Sequence, residues 1–238
     1  MKDFKQTLTS DIILDISNEI FYKSWNINVD LNYKTLLITS KRKPVIINTD
    51  EDAINICGLG FGRIIINNSL FRSNVIASSA VVNVERCRNL NLTIADNIFN
   101  GTGVGCKVIK IDSPIDITIG NNKIANFTQS FNTAISVNSY NNEMVIINNS
   151  FFNIYGGLEN RVFNFNNCRG VFCSKNLMLG CGSDFSNKHN NAICSNNYFN
   201  ENSYVELFSN YNVESDDFLK SATISVGAGR NSSNIHIF

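Results

Sequence analysis

Seven polar residues form the one constellation in this chain that invites a chemical reading: Glu85, Asp112, Lys110, Asn83, Asp116, Asn138 and Glu143. Glu85 closes the segment V-V-N-V-E and Asp112 closes V-I-K-I-D. If these segments are neighbouring strands in register, the two carboxylates leave backbones about 4.8 Å apart. Carboxyl groups that close suit a retaining glycosidase, one acting as general acid and the other as nucleophile. Lys110 stands beside them as a charge stabiliser or base. Asp116 and Glu143 make a second stacked pair at the start of the following strand. With Asn83 and Asn138 they would supply carboxylate and amide contacts to a hydroxyl-rich substrate. A polar outer face also acquires acid pairs by chance, so solvated surface is the plain alternative for each pair.

The remaining chemistry is sparse. The seven cysteines lack metal-type C-x-x-C spacing, and His189 and His236 are far apart. G-L-G-F-G (58–62) carries no lysine and opens no helix, unlike a phosphate loop. No cofactor or metal is expected.

Placing the carboxylates in register requires a repeat, and the sequence has one. Asn68, Asn97, Asn122, Asn149, Asn176 and Asn197 recur at spacings of 29, 25, 27, 27 and 21 residues. Three positions earlier stand Ile65, Ile94, Ile119, Ile146, Cys173 and Cys194. Five earlier stand Arg63, Leu92, Ile117, Met144, Val171 and Ala192, and two later Leu70, Phe99, Ile124, Phe151, Met178 and Phe199. Apolar residues two apart describe a strand with one buried face, and asparagine suits a corner that needs left-handed backbone. A further strand precedes these, marked by the pairs Ile54 and Ile56, Val82 and Val84, Ile109 and Ile111, Ile135 and Val137, Phe163 and Phe165. Three strands per repeat predict an all-β parallel β-helix, a solenoid of about six to seven rungs. The outward residues of the first strand are then Asn55 and Cys57, Asn83 and Glu85, Lys110 and Asp112, Ser136 and Asn138, Asn164 and Asn166.

The segments N-N-S-L-F (67–71), N-N-K-I (121–124), N-N-S-F-F (148–152) and N-N-Y-F (196–199) resemble repeats of the single-stranded right-handed parallel β-helix proteins. That group includes pectate-lyase-like enzymes and phage tailspikes. The resemblance implies a polysaccharide or surface glycan as partner, with glycosidase or lyase activity, on the outer face of stacked strands. A non-catalytic scaffold for protein contact or self-assembly is the alternative, favoured by the short loops between rungs. L-N-L-T-I-A-D-N-I-F (90–99) also fits a leucine-rich repeat, but such repeats spend their remainder on a helix. Here the remainder is V-V-N-V-E-R or A-I-S-V-N-S, which favours strands.

With 20 basic and 20 acidic residues the chain is formally neutral, which argues against nucleic acid as partner. The one basic cluster, Lys41-Arg42-Lys43, reads as a solvated turn. No apolar stretch approaches a membrane span, and no secretory signal is visible. Folding in the cytoplasm with free thiols is expected, with later association with a virion compatible. Residues 1–33 depart from the repeat and are expected to form an N-terminal cap. The β-helix is assigned to 34–202, and 203–238 to a covering segment with a last partial rung ending at Phe238. On the second strand the register turns Ile64, Ile66, Val145, Ile147, Phe172 and Ile193 outward. A stacked apolar face of that size predicts a homo-oligomer, and the tailspike resemblance implies a trimer.

Overall fold

A computed structural model describes residues 3–181 apart from short segments at 18, 41–44, 74–78, 102–106, 114, 128–132, 140–142, 155–160, 169 and 180. Beyond 181 it describes the backbone of strands at 185–188, 192–195, 198–200, 204–206 and 223–225.

The chain winds into a parallel β-solenoid of three eight-stranded sheets, and the described residues contain no helix. Sheet A runs from Asp3–Thr7 to Phe185–Lys188, sheet B from Ile12–Asp15 to Ala192–Ser195, and sheet C from Ile20–Phe21 to Tyr198–Asn200. A strand pair outside the solenoid, Tyr204–Glu206 with Thr223–Ser225, is antiparallel. Strands on all three sides of each rung dispose of the leucine-rich alternative.

The first-strand register is as read from the apolar pairs. Val82 lies opposite Ile54 and Ile109, and Val84 opposite Ile56 and Ile111. Ile135 and Val137 continue the two columns to Phe163 and Phe165. All of these are buried, and the columns are the spine of one continuous core. Aromatic rings thicken it: Phe71 stacks on Phe99 with centroids 4.9 Å apart, and Phe163 meets Phe151 edge-on at 5.1 Å.

The second-strand register needs one correction. Leu92 and Ile94 lie opposite Ile64 and Ile66, not Ile65, so Ile64 and Ile66 are core residues. The asparagine position is therefore taken at that rung by Ser69, and the column two residues later by Phe71, which pairs with Phe99. Arg63 is exposed and outward rather than in an apolar column. Asn68 sits instead in the left-handed corner that Asp96, Asn121, Asn148 and Lys175 occupy on later rungs.

The corrected column is a buried amide ladder. Oδ1 of Asn122 accepts from the backbone N–H (3.1 Å) and the Nδ2 (3.1 Å) of Asn97. Asn122 Nδ2 donates back to Ile94 O (2.8 Å) and forward to Asn149 Oδ1 (3.0 Å). The same set joins Asn149 to Asn176. Corner backbone groups that the sheets cannot pair are satisfied this way. Asn197 lies outside the described residues.

Residues expected to cap the solenoid are wound into it. Asp3–Thr7 pairs with Trp25–Asp30, Ile12–Asp15 with Thr35–Thr39, and Ile20–Phe21 with Val45–Ile47. That is why each sheet has more strands than the six or seven read from the repeat. The first rung leaves a cavity of about 530 Å³ at its outer end, lined by Phe4, Leu14, Ile16, Phe21 and Trp25 and rimmed by Asp3, Asp15 and Glu19.

Candidate functional site

The outward side of sheet A carries two amide systems and a groove. Asn26 Nδ2 donates to Asp3 Oδ1 (3.2 Å), Asn55 to Asn26 (3.2 Å) and Asn83 to Asn55 (3.1 Å). This outer ladder stops at Asn83, whose buried Oδ1 finds no donor. The next residue in the column is Lys110, directly opposite. An amide there would extend the ladder; a lysine ends it. Lys110→Asn is accordingly expected to raise stability by about 0.5–1.5 kcal/mol, the net value of one added hydrogen bond. Thermal denaturation checks this, and a lowered melting temperature would show that the orphan oxygen is not limiting.

Past Lys110 the face opens into a groove of about 470 Å³. Lys107, Lys110 and Asp112 line it from one strand and Ser136 and Asn138 from the next. Asn164, Asn166 and Asn167 close it on the third. The second amide system fixes its edge: Asn138 Nδ2 donates to Asp112 Oδ1 at 2.9 Å, and Asn167 Nδ2 to Asn138 Oδ1 at 3.0 Å. Asn167 turns the corner in left-handed backbone at φ 54°.

The sequence-predicted residues are divided by this geometry. Glu85 and Asp112 are in register on adjacent strands, as expected. Yet Asp112 belongs to the groove, whereas Glu85 lies outside its lining with its carboxylate 4.0 Å from the Arg86 guanidinium. Lys110 and Asn138 line the groove; Asn83 is buried one rung before it. Asp116 begins one strand of sheet B and Glu143 immediately precedes the next, Met144–Ile147, with Ile117 N–H donating to Glu143 O at 3.1 Å. One acid pair thus ends strands of sheet A and the other stands at the start of strands of sheet B, on the two sides of the A–B corner. Lys107 and Asn167 are groove residues the sequence reading passed over. Lys107 follows a segment with no repeat signal, and Asn167 is the second of two adjacent asparagines.

An aromatic pair stands at the A–B corner on earlier rungs. Tyr33 and Phe61 are exposed and stack with centroids 5.5 Å apart and planes 9° apart. Leu59 beside them is also exposed.

Among the described residues no group of three or more histidine, cysteine or acidic side chains could hold a metal ion, and no helix is long and apolar enough to cross a membrane. The described cysteines are free. No family model matches this chain, and neither a characterised protein nor a solved structure matches it.

Proposed function

We propose that the outer face of sheet A binds a polysaccharide, and that it binds rather than cleaves. The observation that carries this reading is the groove: eight polar side chains on three successive strands, five of them hydroxyl- or amide-bearing. Amides offer both a donor and an acceptor to each sugar hydroxyl. The hydrogen bonds from Asn167 to Asn138 and from Asn138 to Asp112 hold these side chains in place before any ligand arrives, which lowers the ordering cost of binding. Parallel strands spaced at about 4.8 Å give a flat, repeating surface that suits a repeating chain. Tyr33 and Phe61 add apolar ring surface of the kind that packs against the C–H face of a pyranose. The resemblance to pectate-lyase-like and tailspike β-helices agrees with a glycan partner.

Binding is favoured over hydrolysis by the disposition of the carboxylates. A retaining mechanism needs both acids on one sugar. Asp112 is tied to Asn138, and Glu85 is turned to Arg86 outside the groove.

The test is retention of the full chain on a panel of immobilised neutral and acidic polysaccharides, followed by calorimetry on any that bind. Asn164→Ala and Lys110→Ala should each weaken binding about tenfold, the effect of losing one or two polar contacts at about 1.4 kcal/mol. No new reducing ends should appear. Retention that ignores both substitutions would sink the assignment to this groove. Reducing ends that vanish in Glu85→Gln combined with Asp112→Asn would replace binding by hydrolysis.

A further inference from the structure

We infer that two copies of this chain dock through sheet B, with their solenoid axes antiparallel about a two-fold axis along the strands. The inference is independent of the glycan reading, which concerns sheet A.

Its first support is the corrected outward column of sheet B. Leu37, Ile65, Thr93, Thr118, Val145 and Phe172 lie opposite one another strand by strand. Each is at least partly exposed, Phe172 by 40%. The order is symmetric about its middle, with apolar residues at both ends and two threonines in the centre. Reversing a second copy sets Leu37 against Phe172, Ile65 against Val145, and Thr93 against Thr118. Apolar meets apolar, hydroxyl meets hydroxyl, and the patch is complementary to itself, as a two-fold interface demands.

Charge decides the arrangement. The flanking column reads Thr35, Arg63, Asn91, Asp116, Glu143. Arg63 and Glu143 are exposed, and neither pairs with an opposite charge among the described residues. The reversal that matches the central column places Arg63 of one copy opposite Glu143 of the other, twice by symmetry. Asp116 then faces Asn91, so no like charges meet. Copies packed with parallel axes would instead set Arg63 against the opposite flank, where Asn67 stands, and both charges would stay unmatched. Complementary charges fix orientation and reject alternatives more than they add affinity.

The opposite flank leaves room. Ala95 and Gly120 are small and adjacent in the centre. A Cβ on Gly120 would meet nothing nearer than 3.6 Å, so the chain's own packing does not call for glycine there.

Six strands at about 4.8 Å and five residues at about 3.3 Å make a face of roughly 500 Å² per copy. That is below the ~800 Å² per partner of a standard interface, so association in the micromolar range is expected. Light scattering after size exclusion of the full chain, at high micromolar concentration and low salt, tests it. The wild type should give twice the chain mass of 26.6 kDa. Arg63→Glu and Glu143→Arg should each weaken the dimer at least tenfold, and the two combined should restore it. Both positions are exposed, and unchanged circular dichroism would confirm that the variants fold. A 26.6 kDa particle at that concentration, a trimer, a dimer indifferent to both reversals, or a double reversal that stays dissociated would each overturn the inference.

Discussion

Asn122→Ala should lower stability by roughly 2–6 kcal/mol. The figure comes from counting what is stranded. Asn122 is fully buried, and its amide serves two neighbouring rungs at once. Without it the backbone N–H of Asn97 loses its acceptor, and the carbonyl of Ile94 loses its donor at 2.8 Å. Asn97 Nδ2 keeps its bond to Ile66 O, and Asn149 Oδ1 keeps the Asn122 N–H, so those two groups are still served. Two orphaned buried groups at about 1–3 kcal/mol each give the range. A change of about 1 kcal/mol moves the melting temperature of a domain this size by about 2–4 °C, so the expected drop is roughly 4–24 °C.

The choice of control matters. Asn126 lies outside this ladder but is not idle: its Nδ2 donates to Asn100 (2.9 Å) and its Oδ1 accepts from Asn153 (3.2 Å). It also holds φ 65°, which alanine tolerates poorly. Asn126→Ala should therefore cost about 1–2 kcal/mol. Asn91, exposed on sheet B, is the better comparison, with a change within about 0.5 kcal/mol. Equal melting temperatures for the Asn122 and Asn91 variants would refute the ladder. In a solenoid each rung touches only its neighbours, so loss in the middle of the ladder weakens two junctions.

The fold was legible where two apolar columns run unbroken, and the first strand shows why. I-x-I, V-x-V and F-x-F pairs admit one register only, because a slip of one residue turns every side chain over. At Ile64-Ile65-Ile66 three consecutive isoleucines remove the alternation, and Asn67-Asn68 offers two asparagines where the corner position belongs to Ser69. Counting from Asn68 instead of Ser69 shifts the register by one residue and turns the core residues Ile64 and Ile66 outward. The first rung was missed because its corners carry no asparagine ladder and its outward residues include Ile13, 68% exposed. In the candidate site, the register pairing of Glu85 with Asp112 was readable. The turning of Glu85 toward Arg86 was not, because a side-chain rotamer answers to local charge rather than to period. Asn83 was readable as outward. That it would be almost wholly buried beneath its own ladder was not, since this depends on how tightly neighbouring amides close over it.

Cys87 and Cys181 should be about a thousandfold slower to alkylate at pH 8 than an ordinary thiol. Both sulfurs are enclosed at corners of the solenoid. Cys87 Sγ accepts from Gly58 N–H at 3.1 Å and lies 3.4 Å from Glu85 O; Cys181 Sγ lies 3.5 Å from Leu179 O. Burial pushes each thiol up to about 12, against partial relief from backbone hydrogen bonds. Only the thiolate reacts, and at pH 8 its fraction falls from about one in ten to about one in ten thousand. Cys57 is half-exposed. Its thiol is raised by burial and then by the Glu85 carboxylate, with Arg86 pulling the other way, and among the described cysteines it should label first. Mass spectrometry after timed alkylation reads the order directly. A consequence for stability follows from the sign of the shift. The native state keeps protons that the unfolded chain releases, so the contribution is intact below about pH 9 and is lost as pH climbs toward about 12. Urea melts between pH 8 and 11 should show a declining midpoint, with a shallower decline in Cys87→Ala combined with Cys181→Ala. The difference between the two slopes is the informative quantity, because the two proteins differ only at these thiols. Identical slopes would mean that the enclosed thiols do not govern the alkaline limit.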